Sequence, residues 1–343
     1  MQVEKHFTEI SELIKQARNK TLSIINRELI ELYWQIGEYI SLKCKDLGWG
    51  KNVVKSLADY LNKTNPDLKG FSSQNLWRMK QFYECYKDNE KLSSLLREIS
   101  WSNNLHIISK TKSMEEKEFY IRLCIKEKYS ARELARQIDS AYFERIMLSQ
   151  EKVATNITET YPDVSNMFRD SYVLEFLNLP EKFYEKDLQK AIIHNLKKFI
   201  LEFGKDFIFI GEEYKLQVGN NDYYIDLLFY NRELSCLVAF ELKIDDFKPE
   251  YLGKLNFYLE ALDKDVKKPH ENPSVGIILC KSKDDDVVEY ALNRNLSPAL
   301  VAQYETKLLD KKLMQQKLHE IFELSMEQVD EDNKNQLRDG SDE

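Results

Sequence analysis

Glycine is scarce in this chain, with 10 among 343 residues, and none of it forms a run able to cradle a phosphate. No Walker loop, HExxH helix or GxSxG elbow occurs, which removes support for an NTPase, a zinc protease or a serine hydrolase. The five histidines, His6, His106, His194, His270 and His319, are isolated from one another. The five cysteines, Cys44, Cys85, Cys124, Cys236 and Cys280, are odd in number and far apart. With no CxxC pair they indicate neither a zinc knuckle nor a disulfide framework, so a reducing cytoplasm is the expected location. No apolar run approaches the ~20 residues that span a bilayer, and no membrane partner is expected. The opening MQVEKHFTEI lacks the apolar region of a secretory leader.

A net charge of −8 argues at first against a nucleic-acid partner, but the charge is uneven. Residues 1–150 hold 25 Lys and Arg against 20 Asp and Glu, while residues 151–343 hold 25 against 38. Within the second part, 326–343 carries seven acids and two bases and reads as an acidic disordered tail. The mildly basic first part is compatible with DNA binding.

What the chain does have is the stretch Asp222–Asp263, DYYIDLLFYNRELSCLVAFELKIDDFKPEYLGKLNFYLEALD. Tyr223–Tyr230 and Leu237–Leu242 are rich in β-formers and separated by Asn231-Arg232-Glu233, the pattern of a β-hairpin. Each strand carries an acid where a buried strand should be apolar, Asp226 in the first and Glu241 in the second. Lys243 shares the face of Glu241, because side chains alternate along a strand. Two carboxylates buried together cost several kcal/mol unless a positive charge lies between them. A divalent cation meets that need, and oxygen ligands without Cys or His favour Mg²⁺ or Mn²⁺ over Zn²⁺.

The spacing of Asp226 and Glu241-Leu242-Lys243, followed by an amphipathic helix, resembles the PD-(D/E)xK nuclease core. The words IDLLFY, ELK, FKPEYLGKLNFYL and NPSVGIILCK resemble the bacterial YhcG-like family of such nucleases. LYWQIG, GWG, GFSSQNLWRMKQFY and WSNN extend the resemblance to the N-terminal half, although the family usually has a histidine at the position of Asn103. The resemblance implies that Asp226 and Glu241, with the Leu242 backbone carbonyl, are metal ligands and that Lys243 is catalytic. Ile225 replaces the proline that names the motif. Nucleases of this fold commonly add an acid from the first core helix, where this chain offers Glu185, Asp187 and, at the aligned position, Gln189. Glu212 and Glu213 are alternatives.

In chain order, apolar spacing predicts a long helix over 7–42, whole or broken near 19–21, then helices over 52–62 and 73–86. Ser72 caps the last of these, whose inner face is Leu76, Met79, Phe82 and Tyr83. Helix, turn and capped helix resemble a helix-turn-helix, with Gln74, Asn75, Arg78 and Gln81 exposed for DNA. An ordinary helix pair with a solvated polar face is the alternative. The four tryptophans, Trp34, Trp49, Trp77 and Trp101, are expected to pack the core rather than stack on bases. Ser130-Ala131-Arg132-Glu133 opens a helix to about Leu148.

Residues 149–165 read as the connection between a helical domain, 1–150, and an α/β domain, 166–325. The second begins with a helix over Glu185–Phe203 and a strand over 207–210 that continues through 214–218. After the hairpin come a helix over 249–262, a strand over 274–280, a helix over 284–292 and a strand over 300–304. This order resembles a restriction-endonuclease-like PD-(D/E)xK core, a mixed sheet flanked by helices. Lys248, Tyr251, Lys254 and Tyr258 recur on one helix face and either meet the phosphates of DNA or stay solvated. The expected function is metal-dependent hydrolysis of phosphodiester bonds in DNA. The alternative is a catalytically idle DNA-binding or assembly module on a nuclease-like fold. A homo-oligomer is left open.

Overall fold

The computed structural model describes residues 2–67, 69–148, 168–293, 295 and 297–320. The expected tail, 326–343, and the expected connection, 149–165, lie outside the described residues. The chain divides into two compact units, Met1–Ile138 and Asp139–Glu343.

The first unit is helical. Helix α1, Gln2–Leu47, is whole, the first of the two expected alternatives, with no break near 19–21. Ile30, Tyr33 and Ile40 recur at helical spacing and are buried, so this part of α1 builds the core. Helix α2, Lys51–Thr64, adds Val54 and Ala58. Helix α3, Ser73–Tyr86, starts where the Ser72 hydroxyl accepts the Asn75 N–H at 3.3 Å. It buries Leu76, Met79, Phe82 and Tyr86. Tyr83 is only half-buried, and its hydroxyl donates to Glu38 at 3.1 Å. Helices α1 and α3 meet at Gly37, where a Cβ would run into the Met79 carbonyl. Trp34 lies edge-on to Phe82, and Trp101 edge-on to Tyr33 and Phe82, so these rings do pack the core. Four more helices follow: α4, Glu90–Leu96; α5, Trp101–Lys110; α6, Met114–Glu127; and α7, Ala131–Asp139. The capping box is present at the start of α7, with the Ser130 N–H donating to Glu133 at 2.7 Å. The helix expected to reach Leu148 instead breaks at Ala141, whose φ is +53°. It resumes as α8, Tyr142–Leu148, which groups with the second unit.

The second unit is a six-stranded sheet with helices. Its strands are β1, Ser171–Val173; β2, Phe207–Val218; β3, Asn221–Asn231; β4, Cys236–Leu242; β5, Val275–Cys280; and β6, Ala299–Glu305. Their order across the sheet is β1-β6-β5-β4-β3-β2. Pairing is parallel from β1 through β4 and antiparallel from β4 to β2, so the sheet is mixed as expected. All seven residues of β4 and all six of β5 are buried, which is why these strands read as unbroken apolar runs. The hairpin turn is longer than Asn231-Arg232-Glu233, because it closes on an Asn231–Cys236 pair. The Asn231 side chain accepts the Leu234 N–H at 2.9 Å, and Ser235 takes φ +51°.

The helix expected over Glu185–Phe203 divides at Asn195 into α9, Glu185–His194, and α10, Leu196–Phe203. On α10, Glu202 is fully buried beside Phe199 and Phe203. Its Oε1 accepts the Val173 N–H at 3.0 Å and meets the guanidinium groups of Arg145 and Arg169, each at 3.3 Å. Arg145 also donates to the carbonyls of Ser140 and Ser171. One carboxylate thus ties α8, β1 and α10 together. Helices α11, Glu250–Ala261, and α12, Asp285–Leu292, follow, with Leu255 of α11 lying over Gly276 of β5, and residues 311–320 are helical as well.

Candidate active site

The β3–β4 ladder ends with Leu227 opposite Phe240, and the next position in that register sets Asp226 against Glu241. Both therefore face the same side of the sheet. The Asp226 carboxylate accepts the Leu242 N–H at 2.7 Å, which fixes it against the end of β4. Beyond β4 the chain stays pinned, since the Lys243 N–H donates to the Leu279 carbonyl at 2.9 Å. Glu241 is 1% exposed and Lys243 8%.

The charges at this point interlock. Lys243 Nζ is 3.0 Å from Glu241 Oε1 and donates to the Leu242 carbonyl at 2.9 Å. It also donates to both carboxylate oxygens of Glu185 at 3.3 Å. Lys254, from α11, reaches the same Glu241 Oε1 at 2.5 Å. The other oxygen, Glu241 Oε2, is buried and has no hydrogen-bond partner. Burial and the neighbouring Glu241 push the Asp226 carboxyl up to about 6, against the opposing pull of the Leu242 N–H and two lysines. Burial works against charge on Lys243, yet Glu241, Glu185 and Asp226 together hold its pKa above the ordinary lysine value.

Other expected residues take varied places. Gln189 donates from Nε2 to the Asp226 backbone carbonyl at 2.9 Å, so it braces the strand and offers no carboxylate. Glu185, four residues earlier, is the acid on that helix that reaches the site. Glu212 and Glu213 are exposed on β2, and Glu213 takes φ +43° within the strand. Lys248 precedes α11 and pairs with Asp245 at 2.6 Å; the Tyr251 hydroxyl donates to the same carboxylate at 2.8 Å. Tyr258 is buried, with Lys254 over its ring. The Lys254 side of α11 thus turns toward Glu241.

In the first unit, Gln74, Arg78 and Gln81 are exposed. Asn75 is engaged at both ends of its amide, donating to the Gly70 carbonyl at 2.5 Å and accepting from Trp101 Nε1 at 2.9 Å. Arg78 and Gln81 line a groove of about 270 Å³ with Ser102, His106 and Ser109.

Three hard oxygen donors converge here: the carboxylates of Asp226 and Glu241 and the Leu242 carbonyl. With the orphaned Glu241 Oε2, this donor set fits Mg²⁺ or Mn²⁺. Among the described residues, no three His, Cys, Asp or Glu side chains group as a metal site. No helix among the described residues is long and apolar enough to cross a membrane.

Comparison with known proteins follows the same division. Residues 165–319 match the YhcG PDDEXK nuclease domain, and residues 9–145 match the DUF1016 N-terminal domain. A relative from Escherichia coli (strain K12), named "Putative nuclease YhcG", is 29% identical over 347 residues, covering 90% of this chain and 92% of the relative. Among solved structures, a repair endonuclease from Pyrococcus abyssi is 15% identical with a TM-score of 0.25, covering 37% of this chain and 49% of its own. EndoMS in apo form is 14% identical with the same TM-score, covering 38% of this chain and 49% of its own. Both of these likenesses are slight and span about half the length of the proteins they match. The two domain families account for the helical unit and for the sheet that carries Asp226, Glu241 and Lys243: the chain carries a YhcG PDDEXK nuclease domain behind a DUF1016 N-terminal domain.

Proposed function

We propose that this protein is a divalent-metal-dependent nuclease that hydrolyses phosphodiester bonds in DNA, using Asp226, Glu241 and Lys243. The observation that carries the reading is the meeting of two strand carboxylates, one with a bare buried oxygen, beside a lysine held by three oxygen partners. Asp226, Glu241 and the Leu242 carbonyl would hold Mg²⁺ or Mn²⁺. When bound, such an ion supplies Lewis acidity and positive charge at the scissile phosphate. Lys243 is oriented by Glu241 and Glu185 and stabilises negative charge as it develops on phosphate oxygens. Gln189 holds the Asp226 backbone and so keeps its carboxylate in register with Glu241.

A DNA-binding role for the first unit is supported by its basic balance, by exposed Gln74, and by exposed Arg78 and Gln81 at the rim of the groove they line. Asn75 contributes by shaping the start of α3, since its amide is already engaged. A reading as an idle, nuclease-like binding module is favoured by one observation, the replacement of a helix acid by Gln189.

Incubation of the full chain with plasmid and single-stranded DNA, with and without Mg²⁺ or Mn²⁺, separates the two. Cleavage is expected only with metal, and Lys243→Met should lower it by about 10²–10³ while retaining the rise in melting temperature on metal addition. Asp226→Asn should abolish both. In an uncleaving background, Arg78→Ala should weaken DNA binding and lower its salt slope by about one. If the wild type cuts no form of DNA, the binding-module reading replaces the enzyme.

A further inference from the structure

Two lysines share Glu241. One of its oxygens holds two ammonium groups, Lys254 at 2.5 Å and Lys243 at 3.0 Å, while the other is buried and bare. The two lysines are not equivalent. Lys243 has an 11% exposed side chain and is gripped by Glu241, Glu185 and the Leu242 carbonyl, so little of its charge can be rehydrated where it sits. Lys254 has a 47% exposed side chain, approaches from a different element, and holds its ammonium over the Tyr258 ring, 5.4 Å from the centroid. A lysine with a flexible stem and a path to water can leave an ion pair at modest cost, because its head recovers hydration as it goes.

We infer that Lys254 is a displaceable counter-charge: it neutralises Glu241 while the site is metal-free and is driven off when a divalent cation binds there, which frees its ammonium for a DNA phosphate. The inference rests on the metal reading above and deepens it. The physical case is competition for one carboxylate. A dication held by Glu241 would add two positive charges beside the Lys254 ammonium, and like charges that close repel. Lys243 stays, because both carboxylate oxygens of Glu185, which lies outside the proposed ligand set, hold it independently of Glu241. Lys254 therefore stabilises the empty site, weakens metal affinity, and couples metal uptake to a new cation on the DNA-facing side of α11.

Two measurements on the full chain test this, with Mn²⁺ or Mg²⁺ alone as the probe. Calorimetric titration should show Lys254→Met binding Mn²⁺ about tenfold or more tightly than the wild type, since the competing ammonium is gone while its apolar stem remains. The metal-free variant should melt below the metal-free wild type. Lysine acylation of the wild type, read by mass spectrometry, should label Lys254 several-fold faster with saturating Mg²⁺ than without, and Lys243 at an unchanged rate. This second readout needs no variant, so it stands if Lys254→Met folds poorly. Equal Mn²⁺ affinity in wild type and variant, or Lys254 labelling indifferent to Mg²⁺, overturns the counter-charge role and leaves the metal site intact. A wild type that binds neither ion overturns the metal reading, and the inference with it.

Discussion

Replacing Glu202 by alanine probes the architecture of the second unit at its most loaded point. The carboxylate is fully buried, accepts from Arg145 and the Val173 N–H, and lies 3.3 Å from the Arg169 guanidinium. Its removal strands guanidinium charge at a site where Arg145 is 6% exposed. Breaking a buried pair by deleting one partner costs about 3–5 kcal/mol, because the remaining charge is left uncompensated. For a unit of this size each kcal/mol moves the midpoint by about 2–4 °C, so a fall of roughly 6–20 °C is expected. Glu202→Gln keeps an acceptor for the Val173 N–H but loses the charge, and about 1–3 kcal/mol is expected. Calorimetry of the full chain gives the size of the loss. Hydrogen exchange gives its place, which should be β1, α8 and α10 before the β3–β4 hairpin. A loss below about 1 kcal/mol for Glu202→Ala would mean that the arginines find water or other acceptors without it, and the account of this cluster would be wrong.

Two other outcomes follow from the site and the helical unit. Because Asp226 titrates near 6 in the metal-free fold, above the ordinary aspartate value, the native state binds more protons than the unfolded one between about pH 4 and 6. Metal-free stability should therefore fall as pH rises through that window, and Mn²⁺ affinity should weaken as pH drops through about 6. Melting curves and titrations at pH 5 and 7.5 check both, and a slope retained in full by Asp226→Asn would assign it to another group. Gly37→Ala should destabilise the first unit by about 1–3 kcal/mol, since its methyl group meets the Met79 backbone and α1 must move off α3. A chemical-denaturation midpoint equal to that of the wild type would refute the close approach.

How far the sequence reveals the fold depends on the range of the contacts. Asp226, Glu241 and Lys243 stand out because acids are costly in strands that are otherwise apolar, and because one hairpin brings them together. The partners of Lys243 and Glu241 are harder to read. Glu185 lies 58 positions from Lys243, and nothing in its local pattern marks it apart from Asp187. Lys254 has the helical spacing of a solvated face, and only the seating of α11 over Gly276 of β5 turns it inward. Strand β1 is too short to carry a period of its own and exists through pairing with β6. The break at Asn195 is hidden because apolar residues keep helical spacing on both sides of it. Glu202 does leave a trace: it sits three positions after Phe199 on the buried face of α10, where a charge requires a partner. Its arginines, however, lie in distant parts of the chain.

The pairing of β1 with β6 joins segments roughly 130 positions apart, whereas the two acids of the site sit on neighbouring strands of one short hairpin. Loop-closure entropy makes the local pairing fast and the distant one slow, so assembly is expected to run outward from the hairpin. The carboxylates then come together before the sheet has its outer edge, and their mutual repulsion weighs on a partly built chain. A cation arriving at that stage would accelerate folding as well as stabilise its product. Refolding rates measured with and without Mg²⁺ would thus report on the order of assembly, making the reactive centre a timekeeper for the unit that surrounds it.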